Sequence, residues 1–231
     1  MTTFTTEDRL AIEPIPFAGM VDLNQDTRLL EQGTHEWKLA RLGHVSGSSV
    51  ADVMAKGKSG EAITRKKYKT RLVAERLTNE VSESYTNASM EWGITTEPMA
   101  RQAYEVSHET FVDKTGFWKH PTIKWLGCSP DGLVGDDGLV EIKCPNTTTH
   151  IDYLWADEVP SEYYKQIQCQ LWVTGRQWCD FISYDPRLPK KNQLFVKRCN
   201  RDETLIATME VEVLAFLGEV EVMINILSGA K

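Results

Sequence analysis

Ser129-Pro130-Asp131-Gly132-Leu133-Val134-Gly135-Asp136-Asp137-Gly138-Leu139-Val140-Glu141-Ile142-Lys143-Cys144-Pro145 reads as two short strands joined by a Gly/Asp-rich turn. Strand side chains alternate between faces, so Glu141 and Lys143 share one face while Val140, Ile142 and Cys144 take the other. Asp131 stands at the start of the first strand. It comes opposite Glu141 only if the turn has an odd number of residues centred on Asp136. Gly135 and Gly138 permit the positive φ that such a turn requires. Two carboxylates and a lysine on one face form a set suited to phosphodiester hydrolysis. Asp131 and Glu141 would gather one or two Mg²⁺ ions, with the Ile142 backbone carbonyl as a third ligand, because this hard cation takes oxygen donors and keeps several waters. Lys143 would orient or help to deprotonate the attacking water, or stabilise charge in the transition state. The plainer reading is an ordinary hairpin carrying a surface Glu–Lys pair.

The flanking chain alternates helical and extended patterns. Thr34 suits the N-cap of a short helix over His35–Ala40, and Arg41 precedes Ser46-Gly47-Ser48-Ser49, which opens the apolar-periodic Val50–Met54. Hydroxyls, free amides and a guanidinium at a helix start can cradle a phosphate, or they can simply cap the helix beside a surface arginine. Lys56–Arg76 is largely helical in pattern, with Ile63, Tyr68, Leu72 and Leu77 as core candidates. Its eight basic residues against two acidic ones leave +6 in a chain of net charge −7. That contrast points to a local surface for a phosphate backbone rather than a protein coated in positive charge.

Asn79–Ser89 is polar and reads as a loop. Pro98 either opens a helix capped by Glu97 or kinks a longer one. Strands are expected over 110–112 and 122–128, helices over 147–157 and 163–173, and further strands over 178–184 and 193–197. On the 163–173 helix, Tyr164, Ile167 and Leu171 form one stripe, and Gln166 and Gln170 share another face. Over 203–227, Ile206, Met209, Val213, Phe216, Val220, Ile224 and Leu227 recur at steps of three and four, a face for the core or for a subunit contact. This order describes a single α/β domain over 1–231, a mixed central β-sheet flanked by helices, with residues 1–25 as an N-terminal arm. Five scattered cysteines without zinc spacing, no leader-like start and no long apolar run lead to the expectation of a cytoplasmic protein.

Pro130-Asp131 followed by Glu141-Ile142-Lys143 resembles the PD-(D/E)xK nuclease motif. Together with Lys38–Gly43 and Ser46-Gly47-Ser48, Trp92-Gly93 with Glu97, Cys128–Leu133, Gln166-Ile167-Gln168 with Trp172-Val173-Thr174, and Tyr184-Asp185-Pro186-Arg187, it resembles the bacteriophage lambda exonuclease family, also called YqaJ-like. The resemblance spans roughly residues 32–200. It implies a restriction-endonuclease-like core and a Mg²⁺-dependent exonuclease, with Mn²⁺ as a candidate substitute. Such an enzyme degrades the 5′-ended strand of duplex DNA and leaves a 3′ tail for a single-strand annealing protein. The resemblance further implies a ring-shaped homotrimer of phage or prophage origin. Carried over by position, Asp131, Glu141 and Glu97 are metal ligands, Lys143 is the catalytic lysine and Gln166 an active-site helper. Arg41, Ser48 and Ser129 hold the 5′ phosphate, and Met90 takes the place of an apolar wedge. Rival readings are a restriction-type endonuclease, an iron–sulfur exonuclease (for which the cysteine spacing is wrong) and a catalytically silent DNA-binding or clamp protein on the same fold.

Overall fold

The computed structural model describes residues 26–81 and 87–229, so the N-terminal arm expected over 1–25 lies outside the described residues. The chain runs α1 (His35–Arg41), β1 (Val45–Ser46), α2 (Val50–Val53), α3 (Ile63–Thr78), α4 (Ala88–His108), β2 (Trp118–Lys119), β3 (Leu126–Cys128), β4 (Gly132–Val134), β5 (Gly138–Lys143), α5 (Thr147–Ala156), α6 (Ser161–Thr174), β6 (Trp178–Tyr184), β7 (Leu194–Asn200) and α7 (Glu203–Leu227). The expected central sheet is present as two mixed sheets. One has the order β4-β5-β6-β7, with β5 and β6 parallel and both outer pairs antiparallel; the other has the order β1-β3-β2. Pro130 falls between β3 and β4, and a residue without an N–H cannot extend a ladder.

Local chemistry explains most element ends. Side chains of Thr34, Asn87, Asn146 and Asp202 each accept from the amide three residues on, at the starts of α1, α4, α5 and α7. The hairpin register pairs Gly132 with Val140 and Val134 with Gly138. The turn is therefore Gly135-Asp136-Asp137, three residues centred on Asp136, and Gly135 adopts φ +51°. This is the odd turn that the alignment of Asp131 with Glu141 demands.

Three expectations about element bounds need correction. Helix α4 runs unbroken through Pro98, so Glu97 is a mid-helix residue and Asn87 is the cap. Thr110–Val112 is not a strand: pairing there is a single bridge from Asp113 to Leu133. The strand expected from Thr122 starts only at Leu126, because Trp125 takes a left-handed φ of +67°.

Helix α7 buries Ile206, Met209, Val213, Phe216 and Val220 against Tyr68, Leu72 and Val73 of α3 and Trp172 of α6. Ile63 and Leu77, expected in this core, are exposed. Each stands five residues from a buried partner, about 140° around the helix, and so faces away from α7. Among the described residues no helix is long and apolar enough to cross a membrane.

The basic α3 is partly neutralised by its own packing. Arg65 and Lys69 each pair with both Glu61 and Glu219, at 2.5–2.8 Å. Arg76 stacks on Trp125 and donates to the Gly43 carbonyl at 2.8 Å. Lys66 and Lys67 remain exposed. Arg65 above all, then Lys69, holds the Glu219 carboxyl at about 2, below its ordinary 4.5. A depressed carboxylate stabilises the fold above its unfolded value, and that contribution is lost as pH falls from about 4.5 towards 2. With Glu219 at 41% side-chain exposure, solvent screening reduces the effect, so Glu219→Gln should cost about 1 kcal/mol at pH 7. Urea unfolding should show that gap closing as pH falls to about 2.

Candidate active site

Strand β5 presents Glu141 and Lys143 towards α6, while Val140 and Ile142 pack with Ala100 and Tyr104 of α4 on the opposite face. Glu141 is buried, with 1% of its side chain exposed, and is held by three donors. Lys143 Nζ lies 2.5 Å from Oε1, Gln166 Nε2 donates to Oε1 at 2.5 Å, and Gln170 Nε2 donates to Oε2 at 2.6 Å. Helix α6 can supply both amides because residues four apart share a face.

Asp131 Oδ2 accepts from the Ile142 amide at 2.7 Å. In a strand, a residue's N–H and C=O leave on the same edge, so the Ile142 carbonyl faces the Asp131 side. Burial pushes the Asp131 carboxyl well above its ordinary range, and the negative charges of Glu141 and Glu97 push it further, against a smaller opposing pull from Lys143. Burial alone would depress Lys143. Glu141 and Asp131 outweigh it and hold the ammonium above its ordinary value, 5.0 Å from the Tyr163 ring.

Glu97 reaches this group through Arg101, one turn further along α4. Arg101 Nη2 lies 2.5 Å from Glu97 Oε1, and Nη1 donates to the Asp131 carbonyl at 2.7 Å. Met90 is exposed, seven residues before Glu97, which places both on the same side of α4 about 10 Å apart.

Among the described residues, no three His, Cys, Asp or Glu side chains converge into a ready metal cage. Glu97 is turned into Arg101, and Glu141 into Lys143 and the two glutamines. The donor chemistry nevertheless fits a hard divalent cation. Asp131, Glu141 and Glu97 are oxygen donors; burial first, then the charges of Glu141 and Glu97, raises the Asp131 carboxyl, and a cation in their midst would offset that repulsion.

Two of the residues expected to hold a phosphate, Arg41 and Ser129, are linked through Trp37. Arg41 stacks over Trp37 at 4.0 Å, and Trp37 Nε1 donates to Ser129 Oγ at 3.0 Å, two residues before Asp131. Burial lowers the Arg41 guanidinium from its ordinary value, against opposing pulls that include the Glu75 carboxylate. Ser48 is exposed on the turn after β1, its hydroxyl 3.2 Å from Ser46 Oγ. A Cβ on Gly47 would stand 3.3 Å from Cys128 Cβ, a tight approach, and 3.6 Å from Gln170 Cγ, so this turn lies close against β3 and α6. Sequence reasoning missed Gln170, Arg101 and Trp37. The signals were present: Gln170 and Arg101 stand four residues from Gln166 and Glu97.

The profile of the YqaJ-like viral recombinase domain matches residues 36–177. An alkaline exonuclease from Laribacter hongkongensis, also solved in complex with dAMP, is 49% identical at a TM-score of 0.79, covering 84% of this chain and 96% of that one. A phage-related exonuclease from Haemophilus somnus 129PT shares the fold at a TM-score of 0.64 and 16% identity, over 80% of this chain and 96% of its own. No curated protein matches the sequence. With a profile spanning well over half its length and a relative of this similarity, the chain belongs to the YqaJ-like viral recombinase family.

Proposed function

We propose that this nuclease is a Mg²⁺-dependent exonuclease that removes the 5′-ended strand of linear duplex DNA and leaves a 3′ single-stranded tail for strand annealing. The observation that carries the reading is the buried Glu141 joined to Lys143 beside Asp131, with Arg41 and Trp37 linked to Ser129, itself two residues upstream of Asp131. Asp131, Glu141, Glu97 and the Ile142 carbonyl would hold the ion. When bound, Mg²⁺ supplies a Lewis acid for the phosphoryl oxygens and makes its water a better nucleophile. Lys143, kept protonated by its carboxylate neighbours, fits the role of a positive charge beside the scissile phosphate better than that of a resting-state base. Gln166 steadies Glu141.

Arg41, with Ser129 and Ser48, would take the terminal 5′ phosphate, as befits a half-buried guanidinium stacked on Trp37, whose Nε1 donates to Ser129. Met90 would part the terminal base pair. The rest of the proposal is a ring-shaped homotrimer working with a single-strand annealing protein. It is supported by family membership and by the exposed Val211, Leu214, Val222 and Ile226 on α7.

The test is digestion of linear duplexes carrying a 5′ phosphate or a 5′ hydroxyl. Wild-type protein should favour the phosphate, and Arg41→Ala should lose roughly 30-fold on phosphorylated ends, the loss expected for a charge-assisted contact of about 2 kcal/mol. On hydroxyl ends the variant should lose far less. Equal losses on both ends would remove the phosphate pocket from the proposal.

A further inference from the structure

Gln170 is buried at 1% exposure on the inner face of α6, and the mechanism above makes no use of it. Its Nε2 donates to Glu141 Oε2 at 2.6 Å, while Lys143 and Gln166 both address the other oxygen, Oε1. The Gln170 Oε1 atom is buried without a hydrogen-bond partner. A buried acceptor left unpaired is costly, so the amide is oriented by its bond to Glu141 rather than by its own satisfaction. Gly47, in the turn after β1, faces the Gln170 stem, where an added Cβ would stand 3.6 Å from Cγ, an ordinary contact.

We propose that Gln170 is a positioning residue that fixes Glu141 as a metal ligand. The inference rests on the function proposed above. Both Glu141 oxygens must be bonded for the carboxylate plane to be set, and only Gln170 addresses Oε2 among the described hydrogen bonds. Without it, Glu141 can pivot about Oε1, where the Lys143 and Gln166 bonds remain. Partners that orient a ligating carboxylate typically change metal affinity by about 10- to 100-fold when removed.

The experiment compares wild-type protein, Gln170→Met and Asp131→Asn by Mn²⁺ titration read by electron paramagnetic resonance, together with melting temperatures of the metal-free proteins. Steady-state kinetics on linear duplex DNA accompany the titration. Met keeps the length of the side chain and removes the donor; Gln170→Leu serves as a second variant should Met fail to fold. The expected result is a Mn²⁺ dissociation constant raised about 10-fold and a lower kcat, with an unchanged KM for DNA, all measured well below the melting temperature of each variant. Mn²⁺ affinity within twofold of wild type, or a loss of activity that only follows a lowered melting temperature, overturns the positioning role. If Asp131→Asn binds Mn²⁺ as wild type does, the metal-site reading itself fails, a result distinct from failure at Gln170 alone.

Discussion

Asp131→Asn should abolish Mg²⁺-dependent digestion of linear duplex DNA, lowering the rate by at least about 10³-fold, while raising the melting temperature of the metal-free protein. Loss of activity follows if Asp131 is a ligand, because an amide oxygen is a far poorer donor to a hard cation than a carboxylate. The gain in stability follows from burial. Burial first, then Glu141 and Glu97, raises the Asp131 carboxyl above its ordinary value. A carboxylate with a raised native pKa binds its proton more tightly when folded, so stability falls as pH climbs from about 4 through the native value. Above that range the penalty is fully present, and Asn removes it. The Asn oxygen can still accept from the Ile142 amide, so the hairpin is kept. Calorimetry from pH 4 to 8 should show the wild-type curve dropping below that of the variant as pH rises.

Lys143→Met has the second large effect, and it runs in the same direction for activity and stability. Glu141 is almost fully buried, and removing one member of a buried ion pair leaves a charge without compensation. Gln166 and Gln170 still donate to it, which places the expected cost at the lower end of the range, about 3 kcal/mol. Activity should fall about 10³-fold, as for loss of a positioned charge at a reacting phosphate. Adding Glu141→Gln to Lys143→Met should recover most of the stability and none of the activity. Chemical denaturation of the two single variants and the double variant closes this cycle.

The hairpin was legible because one arithmetic condition, an odd turn centred on Asp136, ties Asp131 to Glu141, and the glycine and two aspartates of that turn allow it. The α7 stripe was legible because its period is regular and every early member packs inward. Pro98 was not. A proline inside a helix and a proline at its first turn look alike in sequence, and the decision fell to Asn87, eleven residues upstream, which caps the longer helix. The free charge of α3 is smaller than its count for a related reason. Counting Arg65 and Lys69 as free ignores Glu219, which lies 150 or more residues away and is brought beside them only by folding. Gln170 was visible as a partner of Gln166 on one helix face, but nothing local says that Glu141 needs a donor on each oxygen.

Digestion of equal amounts of linear and covalently closed circular duplex DNA, with Mg²⁺ or with chelator, tests the central claim most directly when the polarity of the remaining strand is read by end label. The account predicts loss of the 5′-ended strand from linear DNA only, dependent on Mg²⁺, with the 3′-ended strand left single-stranded. Cutting of the closed circle, or digestion undiminished by chelator, would contradict it.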